Sequence, residues 1–178
     1  MATVNGLDGL TIGELAAAVG MSKSGLYAHF GSKEELQLAT VEHARRIFDD
    51  EVFTPALGVA DGLPRLLALC DAFFEHLWRG TFPGGCFFAG AVLEMGTRPG
   101  QVKDQIASFQ RYLSGFIHSC VSTAIGRGEL EAAENPDWLT FEITGQLLAC
   151  DAAFVLRDDP GVLDLARAVL RHRLGATG

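Results

Sequence analysis

The chain has 178 residues, 48% of them apolar, and a formal net charge of −8 from 14 basic and 22 acidic side chains. The apolar content excludes a disordered chain, and the acidic balance excludes a protein that coats nucleic acid over its whole surface. No run of about 18 uncharged apolar residues occurs, so we expect no membrane-spanning helix and no membrane partner. The N-terminus has no basic segment followed by an apolar core, which predicts a cytoplasmic protein.

Cysteine and histidine spacing argues against a metal or redox centre. The four cysteines lie at positions 70, 86, 120 and 150, so no C-x-x-C pair exists, and the five histidines have no metal-ligand spacing. We therefore predict no metal site and no cofactor. Each cysteine lies in an apolar stretch, which predicts buried reduced thiols, with a thiol-based sensor as the alternative.

Helical signals follow one another along the chain with no strand pattern between them, which predicts an all-α fold. Thr11 opens a capping box before a short helix that Gly20 ends. Ser22 can cap a second short helix, and Ser32 opens another capping box before a helix from 33 to about 53.

Five further helices are predicted in the second half of the chain, at 63–79, 86–95, 101–125, about 136–157 and 160–174. Asn135-Pro136 and Asp159-Pro160 each indicate an N-cap followed by proline at the first helical position. Glu94 and Asp151 lie inside apolar runs, and we expect both on helix faces that reach water.

The two short helices near the N-terminus form a unit of about 20 residues with glycine in the turn. Its apolar spacing packs the second helix across the first and leaves one face free for a major groove. That face and the next helix start carry groups suited to phosphates and base edges. The alternative is a helical corner that binds nothing.

The string from Val19 to Leu36, VGMSKSGLYAHFGSKEEL, with GLDGLTIGELA before it, resembles the TetR/AcrR family of bacterial transcriptional regulators. The resemblance implies an all-α homodimer with a DNA-binding domain at 1–46 and an effector-binding and dimerisation domain at 47–178. It implies that Ser22, Lys23, Ser24 and Gly25 face base edges, while Thr11, Tyr27, His29 and Lys33 hold phosphates. Gly25 departs from the larger residue usual there and offers a base no side chain.

A second departure lies before Gly6. The family begins with an amphipathic helix, and Met1–Asn5 match only its last turn. Because that helix normally covers the apolar side of the helix-turn-helix, we expect Ile12, Leu15 and Leu26 to lose part of their cover. Our hypothesis is that the sequence given is incomplete at its N-terminus.

Aromatic residues are dense from 73 to 116 and recur at 141 and 154. In the family these helices enclose a cavity, and a mostly apolar pocket is the usual small-molecule site. The alternative is a filled core. The predicted ligand-binding residues for a small, largely apolar effector are Phe74, Trp78, Phe87, Phe88, Phe109, Tyr112, Phe116 and Phe141, with Gln105, Gln110 and His118 as polar candidates.

Helix 136–157 is apolar nearly all round, which requires burial on two sides. A four-helix dimer interface would supply the second side, and the alternative is a central helix of the domain. The predicted interface residues are Trp138, Leu148, Ala152, Val155, Leu165 and Val169.

The leading interpretation is a ligand-responsive repressor that binds a palindromic, double-stranded operator as a homodimer. Its charge distribution agrees, because residues 1–46 are near neutral and the other 132 carry a net charge of −7. The alternative is a ligand- or partner-binding module of the same fold without working DNA binding. The sequence has no G-x-S-x-G, H-E-x-x-H or phosphate-loop motif, so no enzymatic activity is predicted.

Overall fold

The computed structural model describes residues 1–176, and those residues contain helices and loops without strands. The predicted all-α fold is confirmed. The helices are α1 (Ala2–Asn5), α2 (Ile12–Val19), α3 (Lys23–Phe30), α4 (Lys33–Phe48), α5 (Thr54–Leu57), α6 (Leu63–Arg79), α7 (Phe87–Met95), α8 (Gln101–Gly126), α9 (Pro136–Arg157) and α10 (Gly161–Arg173), with a π-helical segment, Asp49–Phe53, between α4 and α5.

Side-chain caps begin the two short helices where the sequence predicts them. The Thr11 hydroxyl accepts the backbone N–H of Glu14 at 3.1 Å, and the Ser22 hydroxyl accepts that of Gly25 at 3.1 Å. Gly20 ends α2 with φ 69°, a left-handed conformation that glycine adopts without a steric penalty. The turn between α2 and α3 is therefore fixed by its own residues.

Two predicted helix boundaries are wrong in detail. The helix expected from 33 to 53 is α-helical only to Phe48 and widens into the π-helical segment, where Glu51 accepts hydrogen bonds from the Thr81 hydroxyl. The second proline signal also differs, because α10 begins at Gly161, whose N–H donates to the Asp159 carboxylate at 2.9 Å. Pro160 is thus the cap residue and not the first helical one.

The described helices group into two compact units. The first unit comprises Met1–Ile47 with Phe82–Phe109, so α7 and the start of α8 pack with the helix-turn-helix. The second comprises Phe48–Thr81 and the chain from Gln110 onward. The functional division into 1–46 and 47–178 stays a prediction, because the compact units interleave along the chain.

Two of the three helix-turn-helix residues that we expected to lose part of their cover are buried, and the third is partly exposed. Ile12 and Leu26 are only 6% and 5% exposed, and Leu15 is half-buried. The first unit also buries Leu7 and Leu10 from the loop between α1 and α2. These two leucines add to the core of the first unit, although the helical periodicity did not predict them as core residues.

The four cysteines are buried, as predicted, and no disulfide joins them within the described residues. Burial raises the pKa of Cys70 to about 12 and the pKa values of Cys120 and Cys150 to about 11. Because the thiolate is the reactive form, these values disfavour the thiol-sensor alternative for these three residues.

By length and composition, α9 could cross a membrane, and it is the one helix within residues 1–176 that meets this criterion. Glu142 and Asp151 interrupt its apolar run, so it contains no 18 uncharged apolar residues in succession. Leu139, Ile143 and Leu147 are buried in the second unit, so one face of α9 is core.

The helix α1 lies against the turn before α7. A methyl group on Gly84 would overlap the carbonyl oxygen of Thr3, so only glycine fits at this approach of two backbones. Gly90, in the middle of α7, has open space where a methyl group would lie.

We therefore expect Gly84→Ala to destabilise the protein by about 1–3 kcal/mol, because α1 must move away from the turn. Gly90→Ala is the matched control and should stabilise it by about 0.5–1 kcal/mol through helix propensity. The measurement is the free energy of unfolding in urea. Equal effects of the two substitutions would contradict the close approach.

Candidate nucleic-acid interface

The helix α3 presents most of its surface to solvent. Leu26 is buried and Phe30 half-buried, while Tyr27 is 56% exposed and all other residues from 22 to 29 are exposed. The predicted free face therefore exists. Lys23, Ser24, Tyr27 and Ala28 line a shallow notch on it. The arrangement offers one ammonium group, hydroxyls and an aromatic ring to a groove or a phosphate backbone.

Gly25 lies beside the hydroxyl that caps α3. A Cβ atom there would lie 3.0 Å from the Ser22 hydroxyl oxygen, which also lies 3.3 Å from the Ser24 hydroxyl. A side chain at position 25 would require that hydroxyl to shift by a few tenths of an ångström. Gly25 leaves the middle of the exposed face without a base-reading side chain.

Thr11, a predicted phosphate contact, is exposed and already has a structural role. Its hydroxyl accepts the Glu14 N–H and donates to the Glu14 carboxylate at 3.0 Å. Both bonds fix the first turn of α2. Because the single proton of this hydroxyl is donated to Glu14, Thr11 can donate to a phosphate only after that bond breaks.

Lys33, another predicted phosphate contact, is paired within the chain. Its ammonium group donates to the Asp8 carboxylate at 2.9 Å and to the Asp8 carbonyl oxygen at 2.5 Å. Arg98 binds the other carboxylate oxygen of Asp8 at 2.8 Å. Hydrogen bonds from Arg98 and Lys33 lower the pKa of Asp8 to about 2.

Glu94 does not reach water in the way the sequence suggested. From the last turn of α7, its carboxylate accepts the backbone N–H groups of Leu7 and Asp8, both at 2.7 Å. The amide of Gln37 donates to the Leu7 carbonyl oxygen at 2.9 Å. The loop between α1 and α2 is therefore held from two helices, by residues that sequence reasoning did not assign to the interface.

The eight predicted ligand-binding residues do not belong to one compact unit. Phe87, Phe88 and Phe109 lie in the first unit, and the other five lie in the second. The rings of Phe88 and Phe109 stack with centroids 3.5 Å apart and planes 10° apart, and both are buried. These two aromatics fill space against each other, as the filled-core alternative expects.

In the second unit, a residue missed by the sequence analysis joins two predicted ones. Phe53 contacts Tyr112 and Phe116 edge to face, with ring centroids 4.9 and 5.1 Å apart. Trp78 is instead 60% exposed and lines a cavity of about 240 Å³ with Phe74 and other residues of α6 and α10. The predicted aromatic residues therefore lie in several separate places and do not line a single pocket.

The polar candidates are also dispersed. Gln105 is exposed at the edge of a small cavity of about 70 Å³ in the first unit. In the second unit, Gln110 is half-buried, and His118 contacts the carboxylate of Asp137 at 3.3 Å. No cluster of three or more metal-ligating side chains occurs among residues 1–176.

The outer face of α9 and α10 is apolar and exposed. All six predicted dimer residues are exposed, including Trp138 at 77% and Leu165 at 62%. Phe141, predicted to bind ligand, is 83% exposed and lies one turn from Trp138, so this chain alone does not enclose it. Asp151, expected at water, is buried at 6% exposure.

An exposed second helix packed on a first, followed by a helical C-terminal region, is the arrangement found in helix-turn-helix DNA-binding proteins. The profile described as "Tetracyclin repressor-like, C-terminal domain" matches residues 62–170, more than half of the chain, and "Bacterial regulatory proteins, tetR family" matches residues 2–40. The chain belongs to the TetR family of transcriptional regulators. It is a transcription factor and not an enzyme, as the sequence predicted.

Solved structures share this fold. A TetR transcriptional regulator from Chloroflexus aurantiacus is 24% identical with TM-score 0.89, covering 98% of this chain and 88% of that one. A TetR-family regulator from Agrobacterium tumefaciens is 16% identical with TM-score 0.85, covering 97% and 90%. AibR, solved with isovaleryl coenzyme A and operator DNA, is 22% identical with TM-score 0.75, covering 94% and 90%. No protein of curated function matches the sequence significantly.

We expect Glu94→Ala to destabilise the loop between α1 and α2 by about 1–3 kcal/mol, because two backbone N–H groups lose their acceptor. Hydrogen exchange at the Leu7 and Asp8 amides measures this locally and should become faster. Glu75→Ala is the control, since it removes only an exposed pair with Arg79 and should cost no more than about 0.5 kcal/mol. Unchanged exchange at both amides in Glu94→Ala would contradict the assignment.

Proposed function

We propose that this regulator represses transcription by binding a palindromic operator as a homodimer and is released by a small, largely apolar effector. The single observation that carries the DNA-binding part is the exposure of α3, whose buried Leu26 anchors it while its polar residues face solvent. We assign Ser22, Lys23 and Ser24 to base edges. Thr11, Tyr27, His29 and Lys33 are the proposed phosphate contacts. Gly25 has no side chain to contact a base, and its proposed role is to let the backbone of α3 approach the DNA closely.

The homodimer is proposed from the outer face of α9 and α10. An exposed apolar face that extends over two adjacent helices is typical of a surface that a second copy of the chain covers. Trp138, Phe141, Leu148, Val155 and Leu156 supply large side chains on α9, and Leu165 and Val169 supply them on α10. A two-fold dimer would carry two copies of α3, and dimeric helix-turn-helix proteins bind half-sites about 34–36 Å apart.

The effector is the least constrained part of the proposal. Phe53, Tyr112 and Phe116 form an aromatic cluster in the second unit, and apolar lining with few polar groups suits a small apolar ligand. AibR, of the same fold, was solved with isovaleryl coenzyme A and operator DNA. Its ligand joins a small apolar acyl group to a charged coenzyme A, so acyl thioesters with an apolar acyl group are the first effector class to test.

The test of function is a gel shift on the intergenic DNA beside the gene, with a random-sequence duplex as competitor. We expect a specific shift at a palindromic site and its partial release by isovaleryl coenzyme A. A dimer that shifts both duplexes equally, or neither, would reject the repressor and favour a module without working DNA binding. Retention of the shift with the acyl compound present would reject only that effector class.

We expect Leu148→Arg to convert the dimer into monomers, because it places a charge in the proposed apolar interface. Sedimentation velocity measures the change. Leu93→Arg is the matched control, since Leu93 is 74% exposed on α7, away from α9 and α10 in the chain. A Leu148→Arg protein that stays dimeric, or a Leu93→Arg protein that dissociates, would place the interface elsewhere.

A further inference from the structure

Asp8 stands between two cations in the first unit. One carboxylate oxygen binds the Lys33 ammonium at 2.9 Å, and the other binds the Arg98 guanidinium at 2.8 Å. The three side chains are about half exposed, at 46%, 45% and 50% for Asp8, Lys33 and Arg98. The carboxylate therefore lies at the surface, where another anion could exchange with it.

We propose that Asp8 competes with the DNA backbone for Lys33, and that Arg98 sets how firmly Asp8 holds this lysine. The inference rests on the proposed function, in which Lys33 contacts a phosphate. A carboxylate and a phosphate oxygen take the same ammonium donors, and Asp8 already holds two of the three N–H groups of Lys33 through its carboxylate and carbonyl oxygens. A phosphate that takes more than the remaining N–H group therefore displaces Asp8 from Lys33.

The surrounding contacts keep Asp8 in place during that exchange. Its backbone N–H is bound by Glu94 at 2.7 Å, and Arg98 remains on the second carboxylate oxygen. Lys33 carries its charge on a flexible four-carbon stem and can leave. The lowered pKa of Asp8, about 2, keeps the carboxylate ionised at any pH used for DNA binding.

Asp8 lowers the affinity for DNA by holding Lys33, and Arg98 raises that affinity by weakening this hold, without itself contacting DNA. While Arg98 shares the carboxylate, part of the negative charge is already neutralised and Lys33 is held less firmly. Removing Arg98 leaves Lys33 as the sole cation on Asp8. Loss of Arg98 should therefore weaken DNA binding, and it should do so only when Asp8 is present.

The test measures affinity for a random-sequence duplex of about three helical turns, because phosphate contacts supply nearly all non-specific binding. Asp8→Asn should bind up to about fivefold more tightly per protomer, the range of exposed ion pairs. In a Lys33→Gln background the same substitution should change nothing. Arg98→Gln should weaken binding in the wild-type background and have no effect in the Asp8→Asn background.

These double-mutant cycles separate the exchange from a general charge effect. If only net charge matters, Asp8→Asn would tighten binding equally with and without Lys33, and the double substitution Asp8→Asn with Arg98→Gln would return to the wild-type affinity. Either result would overturn the inference, as would an unchanged affinity in Asp8→Asn. Glu34→Gln is the matched control, since it removes an exposed charge beside Lys33 and should have the smaller effect.

Thermal unfolding of each variant checks that the fold is retained, and Asp8→Asn keeps the side-chain shape for this purpose. A wild-type protein that binds no duplex at all overturns the proposed function itself, and the inference falls with it. A wild-type protein that binds DNA while Asp8→Asn has the same effect in both lysine backgrounds overturns the inference alone.

Discussion

The packing of the first unit depends on two hydrogen bonds, which the backbone N–H groups of Leu7 and Asp8 donate to the Glu94 carboxylate. A loop of this kind carries polar groups that are costly to bury without partners, and here two of its N–H groups point at one carboxylate. Because the loop is held, Leu7 and Leu10 can lie in the core. Gly6 permits this approach, with φ 78° and a hypothetical Cβ only 2.9 Å from a Glu94 oxygen.

The same contact explains why α7 packs with the helix-turn-helix although it is distant from it in sequence. Glu94 lies 87 residues beyond Leu7, and Gly84, in the turn before α7, admits the backbone of Thr3. One attachment therefore precedes this nine-residue helix and the other lies in its last turn. A unit that begins as a local sequence motif is therefore completed by a segment from the middle of the chain.

The sequence predicted those features whose causes are local. Thr11, Ser22 and Asn135 each cap a helix through backbone groups two or three residues away, so capping patterns located α2, α3 and α9. The partner of Glu94 could not be found in this way, because a carboxylate within an apolar run has no signature for a distant N–H group. The π-helical segment was missed for a related reason, since a change in backbone pairing has no residue pattern of its own.

The candidate effector site shows the limit of composition as a signal. Aromatic density indicates burial in general, but a ring satisfies itself equally well against another ring, as Phe88 does with Phe109. Whether aromatics line a cavity or fill it depends on the distances between helices, which periodicity does not contain. The apolar residues of α9 carry more information about packing. A helix that is apolar on all sides requires burial on two faces, and the described chain buries one of them.

The acidic residues of a DNA-reading unit need a physical account, since each repels the phosphate backbone. Four of the five acidic residues in 1–46 occupy positions where a helix dipole or neighbouring cations favour negative charge. Glu14 lies in the first turn of α2, and Glu34 and Glu35 lie in the first turn of α4, where the helix dipole favours negative charge. Asp8 lies between Lys33 and Arg98. The near-neutral charge of residues 1–46 therefore conceals an ordered arrangement, in which acids stabilise the helix starts and the exposed face of α3 carries none.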